Sequence, residues 1–217
     1  MKLKAITLAA TVLWGLIPAL CPAQDFSANV VYVASSKPGA TSGRPDIAAH
    51  SSSKLYVSKD KMRLETRGLT GTILLVNRGE QTAYALFPVQ KAYQGLAGGP
   101  SEYFRVKDAE NACPDWQKAA VQKIVCEKVG HEVVSGRQTV KYQNKGASDA
   151  ATSAVWIDSG LKFVVKWEGA GSSAEVRDIK EGPQTADLFA VPSTYHILEP
   201  RKSSTKGFAQ RSPNARR

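Results

Sequence analysis

Between Leu55 and Leu96 the chain reads LYVSKDKMRLETRGLTGTILLVNRGEQTAYALFPVQKAYQGL, short β-forming runs separated by turn chemistry at Lys59-Asp60, Gly68 to Gly71 and Asn77 to Gly79. Connections this short exclude parallel neighbours, because a parallel pair needs a crossover of about a dozen residues or more. The stretch is therefore expected to be an antiparallel meander. In Lys61 to Thr66, Met62, Leu64 and Thr66 fall on one side and Arg63 and Glu65 on the other, the period of a strand with one solvated face. Thr72 to Val76 is apolar on both sides and reads as a central strand. In Gln81 to Val89, Tyr84 and Leu86 oppose Ala83, Ala85 and Phe87, and Pro88 ends the strand or confines it to an edge.

The rest of the chain repeats this unit. Phe26 to Val33 predicts a first strand, and the Gly-, Ser- and Pro-rich stretch Ala34 to Ser53 a polar loop. Glu132 to Ser135 and Gln138 to Gln143 turn about Gly136-Arg137; Ser153 to Ile157 and Leu161 to Trp167 flank the hairpin turn Asp158-Ser159-Gly160. Ala174 to Ile179 and a closing segment, Asp187 to Leu198, complete the set. Helical character is confined to Glu102 to Val121, where Pro114 starts a short helix, Asp115 to Val121. Roughly ten strands and one helix predict a mainly β chain, a strongly curved antiparallel sheet with the helix over part of its concave side.

Lys2 and Lys4, an apolar run from Ala5 to Leu20, and Cys21-Pro22-Ala23 read as a secretory signal peptide, residues 1–23, cleaved after Ala23. The run is shorter than the ~20 apolar residues of a spanning helix. The organisation expected is then one β-rich domain over residues 24–200 and a disordered basic tail over 201–217, in the periplasm or outside the cell. After cleavage two cysteines remain, Cys113 and Cys126, an even pair that in an exported chain predicts a disulfide.

The formal charge of the full chain is +10. Without Lys2 and Lys4 it is +8, from 27 basic and 19 acidic residues, and Arg201, Lys202, Lys206, Arg211, Arg216 and Arg217 supply six of those positives. Residues 24–200 are left near +2, with 21 basic and 19 acidic residues, so the basicity gives no argument for nucleic-acid binding. The tail either offers peripheral contact to anionic lipid or an envelope polymer, or is a solubilising end.

No motif carries catalysis. His50, His131 and His196 lack metal-helix spacing, there is no nucleophile elbow or phosphate-binding Gly loop, and the carboxylates lie at turns or on mixed-charge strands. The chain reads as non-enzymatic, with no cofactor and no metal. The large apolar residues say more. Met62, Leu64, Leu75, Tyr84, Leu86, Tyr142, Trp156, Phe163 and Trp167 are the candidate lining of one concave surface; they either fill a core or leave a cavity for a hydrophobic or acylated ligand. The alternative is an envelope protein-protein interaction or structural module, working through exposed strand edges and the tail.

Several segments, in order, resemble the bacterial LolA/LolB-like superfamily of periplasmic lipoprotein carriers and lipoprotein-sorting-like domains. They are Lys61 to Glu65, Phe87 to Tyr93, Gly130 to Gly136 leading into Val140-Lys141-Tyr142, Trp156 to Leu161, and Leu188 to Tyr195. The resemblance implies an incomplete, strongly curved β-barrel around an apolar cavity with a helical lid, used to shield acyl chains, and supplies no catalytic residue.

Overall fold

A computed structural model of the chain describes residues 25–34, 51–66, 71–96, 105–119, 125–145, 153–169 and 172–199. The expected signal peptide, most of the expected polar loop, His50 and the basic tail lie outside the described residues.

The strands are β1 (Phe26–Ala34), β2 (Ser51–Val57), β3 (Lys61–Glu65), β4 (Ile73–Asn77), β5 (Thr82–Phe87) and β6 (Ala92–Gly95), then β7 (Val125–Val134), β8 (Arg137–Lys145), β9 (Ser153–Asp158), β10 (Val164–Gly169), β11 (Ser172–Glu181) and β12 (His196–Ile197). One helix, α1 (Cys113–Ala119), precedes β7, with Pro114 in its first turn. The twelve strands form one sheet in the order β12-β6-β5-β4-β3-β2-β1-β11-β10-β9-β8-β7. Two sequential meanders, β1 to β6 and β7 to β11, are thus joined by the long-range pairing of β1 with β11.

Turn chemistry sets the hairpins. Ser58 and Lys61 exchange backbone hydrogen bonds across Lys59-Asp60 at 2.9 and 3.3 Å. Between β7 and β8, Ser135 and Gly136 both have positive φ (48° and 78°), the backbone of a tight two-residue turn that matches strand twist. After β9 the Asp158 carboxylate accepts the N–H groups of Gly160 at 2.9 Å and Leu161 at 2.7 Å and takes a further hydrogen bond from Arg137 Nε. This delays β10 to Val164, three residues later than the apolar run at Leu161 implies.

The expected incomplete barrel is not what forms. The sheet is open, neither closed nor strongly curled, and its terminal strands β12 and β7 each have one neighbour. A barrel requires those ends to meet with a consistent stagger. Most of the large apolar residues instead pack into two clusters. One cluster gathers Phe26, Val30, Leu55, Val57, Met62, Val76, Leu161, Phe163 and Val165; the second seats Val106, Ala109 and Ala112, from the segment leading into α1, and Trp116 of α1 itself on Val140, Tyr142, Ile157 and Val164. The helix contacts β7 and lays Trp116 over Tyr142 of β8. A second departure is β12, which runs parallel to β6.

Candidate functional site

Directly paired residues share a face of the sheet, so the register assigns each candidate lining residue. Leu64 opposes Leu55, Leu55 opposes Ala28, Val30 opposes Val176, Ala174 opposes Trp167, and Val155 joins Trp167 to Tyr142. Met62, Leu64, Tyr142 and Trp167 therefore share one face, and Phe163 packs in the same cluster as Met62. Leu75 pairs with Arg63 and with Tyr84, Leu86 alternates with Ala85, and Trp156 pairs with Lys141 and Lys166. Leu75, Tyr84, Leu86 and Trp156 thus belong to the opposite face. The nine residues do not converge on one surface.

On the first face Met62 and Phe163 are buried, 5 and 2% exposed. The space beside Val57, Met62, Val76 and Phe163 is about 20 Å³, enough for a water but not for an acyl chain. On the opposite face Trp156 is 2% exposed although no apolar layer covers it. The ammonium groups of Lys141 and Lys166 lie 4.7 and 4.3 Å from its ring centroid, and its indole N–H donates to Glu132 at 2.6 Å. Lys141 also pairs with Glu132 at 2.8 Å. Hydrogen bonds from Lys141 and then from Trp156 hold the Glu132 carboxyl below its ordinary range. The cations roof the indole with their stems and charges, which closes this surface.

At the other end of the same face the chain covers itself. After β11, a 3-10 turn at Ala186–Phe189 crosses β3 and β4, and Arg63 donates to the Leu188 carbonyl at 3.0 Å. The segment reaches β6 through hydrogen bonds from His196 N–H to Lys91 O at 2.9 Å and from Leu198 N–H to Tyr93 O at 2.7 Å. Phe189, Ala190 and Val191 of this segment line a cavity of about 270 Å³ together with Leu75, Tyr84, Lys61, Asn77 and Glu80 of the sheet side.

The remaining surface has a simple distribution. The large apolar side chains exposed among the described residues are Val89, Leu96, Val125, Val129, Val133, Ile197 and Leu198. All of them lie at the ends of the sheet. Val125, Val129 and Val133 belong to β7, 59, 53 and 61% exposed; the others border β6 and β12. Ten residues long, β7 pairs with β8 alone among the described strands. Sequence reading began this strand at Glu132 and missed its first half, because the bulge between Lys128 and Gly130 breaks the alternation. The available signal was the four-residue spacing of the valines.

Cys113 and Cys126 are joined by a disulfide, Cα to Cα 5.5 Å, which ties the start of α1 to β7. Beside it Glu110 pairs with Lys128 at 2.5 Å and His131 at 3.0 Å, and the Lys128 hydrogen bond lowers the Glu110 pKa. Among the described residues no three His, Cys, Asp or Glu side chains are grouped to hold a metal.

No protein-family model and no curated protein matches the chain. Solved structures are similar at a distance. PNGF-II has 12% identity and a TM-score of 0.49 over 82% of this chain and 31% of its own. The MucA/MucB complex of Pseudomonas aeruginosa has 12% identity and a TM-score of 0.49 over 81% of this chain and 58% of its own. A LolA superfamily protein of Nitrosomonas europaea has 11% identity and a TM-score of 0.35 over 78% of this chain and 91% of its own. The chain thus spans about a third of the first of these structures and a little over half of the second. At such identities the functional reading rests on the chain's own residues.

Proposed function

We propose that this is a non-enzymatic module of the bacterial envelope that engages a protein partner by strand addition at β7. The observation that carries the reading is the open end of the sheet, a ten-residue strand with one neighbour and three exposed valines. An unpaired edge offers backbone donors and acceptors to an extended segment, and its apolar side chains supply contact area. The bulge at Lys128 and Gly130 and the charges of Glu127, Lys128, His131 and Glu132 restrict promiscuous pairing and favour a partner shaped to this edge. The Cys113–Cys126 bond supports an oxidising compartment outside the cytoplasm.

Carriage of a lipid or acylated ligand is the leading expectation from the sequence, and the interaction module its alternative. The burial of Met62 and Phe163 in a core cluster favours the interaction module over carriage. Photo-crosslinking in intact cells tests the reading, with a crosslinking residue at Val129 and, as control, at Lys54 inside the sheet. Defined adducts at Val129 that vanish in a Val133→Asp background are expected. Equal labelling at both positions, or none at Val129, removes the proposal.

A further inference from the structure

The opposite end of the sheet is closed by the chain's own C-terminal segment, held among the described residues by few polar bonds. Gly182 still donates its N–H to Asp25 O at 2.8 Å, and Pro183 then carries the chain off the sheet. From β11 to β6 the segment passes six strand positions, roughly 29 Å at the spacing of paired strands. Over that distance its polar attachments to β3 and β6 are the Arg63 bond to Leu188 and the backbone bonds of His196 and Leu198. It lines the 270 Å³ cavity, and β12 pairs through two residues whose side chains are both exposed. Ile197 and Leu198 remain 57 and 37% exposed, and Val89 and Leu96 beside them 75 and 40%.

From this geometry we infer that residues 183–199 exchange between two copies of this chain, each copy's β12 pairing with the other's β6. Every contact the segment makes within one copy is remade unchanged in the other, so exchange loses none of them. The second copy would also cover the apolar surface of Val89, Leu96, Ile197 and Leu198, which the single chain leaves in water. Exchange at this end leaves both β7 edges outermost, so the dimer presents two of them. The inference stands on β6, β12 and the connecting segment and does not depend on what binds β7.

The test uses the full chain in two forms that each carry one added cysteine, Tyr93→Cys and Ile197→Cys, positions paired in register between β6 and β12. The two are mixed, incubated at increasing concentration, oxidised, and analysed by non-reducing electrophoresis with mass spectrometry of the linked peptides. A mixed species linked from 93 to 197, increasing with concentration, is the expected result. Absence of that link, or links only between identical positions, overturns the inference, since identical links report edge-to-edge contact without exchange. Light scattering on the unsubstituted chain gives a check free of folding defects: a dimer that grows with concentration is expected, and a monomer at every concentration overturns the inference.

Discussion

The Tyr142 hydroxyl donates to the Ala109 carbonyl at 2.9 Å and accepts the Ala112 N–H at 3.2 Å, tying β8 to the segment that leads into α1. Tyr142 is 1% exposed and stacks edge-on against Trp116 at 5.2 Å. Burial raises its pKa. Tyr142→Phe keeps the ring and strands both backbone groups without a partner. We expect a loss of about 2 kcal/mol in urea unfolding with an unchanged strand spectrum; a loss near zero would show that water replaces the hydroxyl.

Asp158 carries the corner between β9 and β10. It is 2% exposed, accepts two backbone N–H groups and pairs with Arg137, which also reaches Glu181 at 2.8 Å. Asp158→Ala should cost about 3 kcal/mol, and Asp158→Asn, which keeps an acceptor for the turn, about half as much. Chemical denaturation of the pair separates the turn from the charge.

Reduction of the Cys113–Cys126 bridge releases a loop with a sequence separation of 13. The double variant Cys113→Ser/Cys126→Ser should lose roughly 3 kcal/mol on the chain-entropy estimate. Hydrogen exchange locates the effect, with amides of α1 and the start of β7 exchanging first and those of β1 and β11 nearly unaffected.

Acid should act on the roof over Trp156. The Glu132 carboxyl sits below its ordinary value of 4.5 in the fold, so its contribution to stability is complete above that value and is lost as pH falls through the lower, folded one. Glu132→Gln should therefore lose less stability than the parent chain over that acidic window, by a small margin because the carboxylate is largely exposed. The indole N–H resonance of Trp156 provides a direct readout. Its shift should follow a titration midpoint below 4.5 in the parent and stay flat in the variant.

The tight turns and the period-two strands of the first meander are legible in residues such as Lys59-Asp60 and the Met62/Leu64 alternation, because both are local properties of the backbone. The candidate lining failed for a nonlocal reason. Leu75 and Leu64 look equivalent along the sequence, yet their registers with β3, β4 and β2 send them to opposite faces. Trp156, read as apolar lining, is instead roofed by Lys141 and Lys166, neighbours supplied by two other strands.

The amino-acid sequence alone determined that this chain builds short strands on tight turns, with a cysteine pair that forms a bridge. It did so because turn propensity and side-chain alternation act over a few residues. The tertiary structure decided that the sheet stays open, that β12 returns parallel to β6, and that β7 is left as a bare edge. Those outcomes depend on pairing across long separations, above all β1 with β11, and on bulges at Ser27/Asn29, Lys128/Gly130 and Val164/Lys166. Each bulge adds an unpaired residue and resets which side chains face which way.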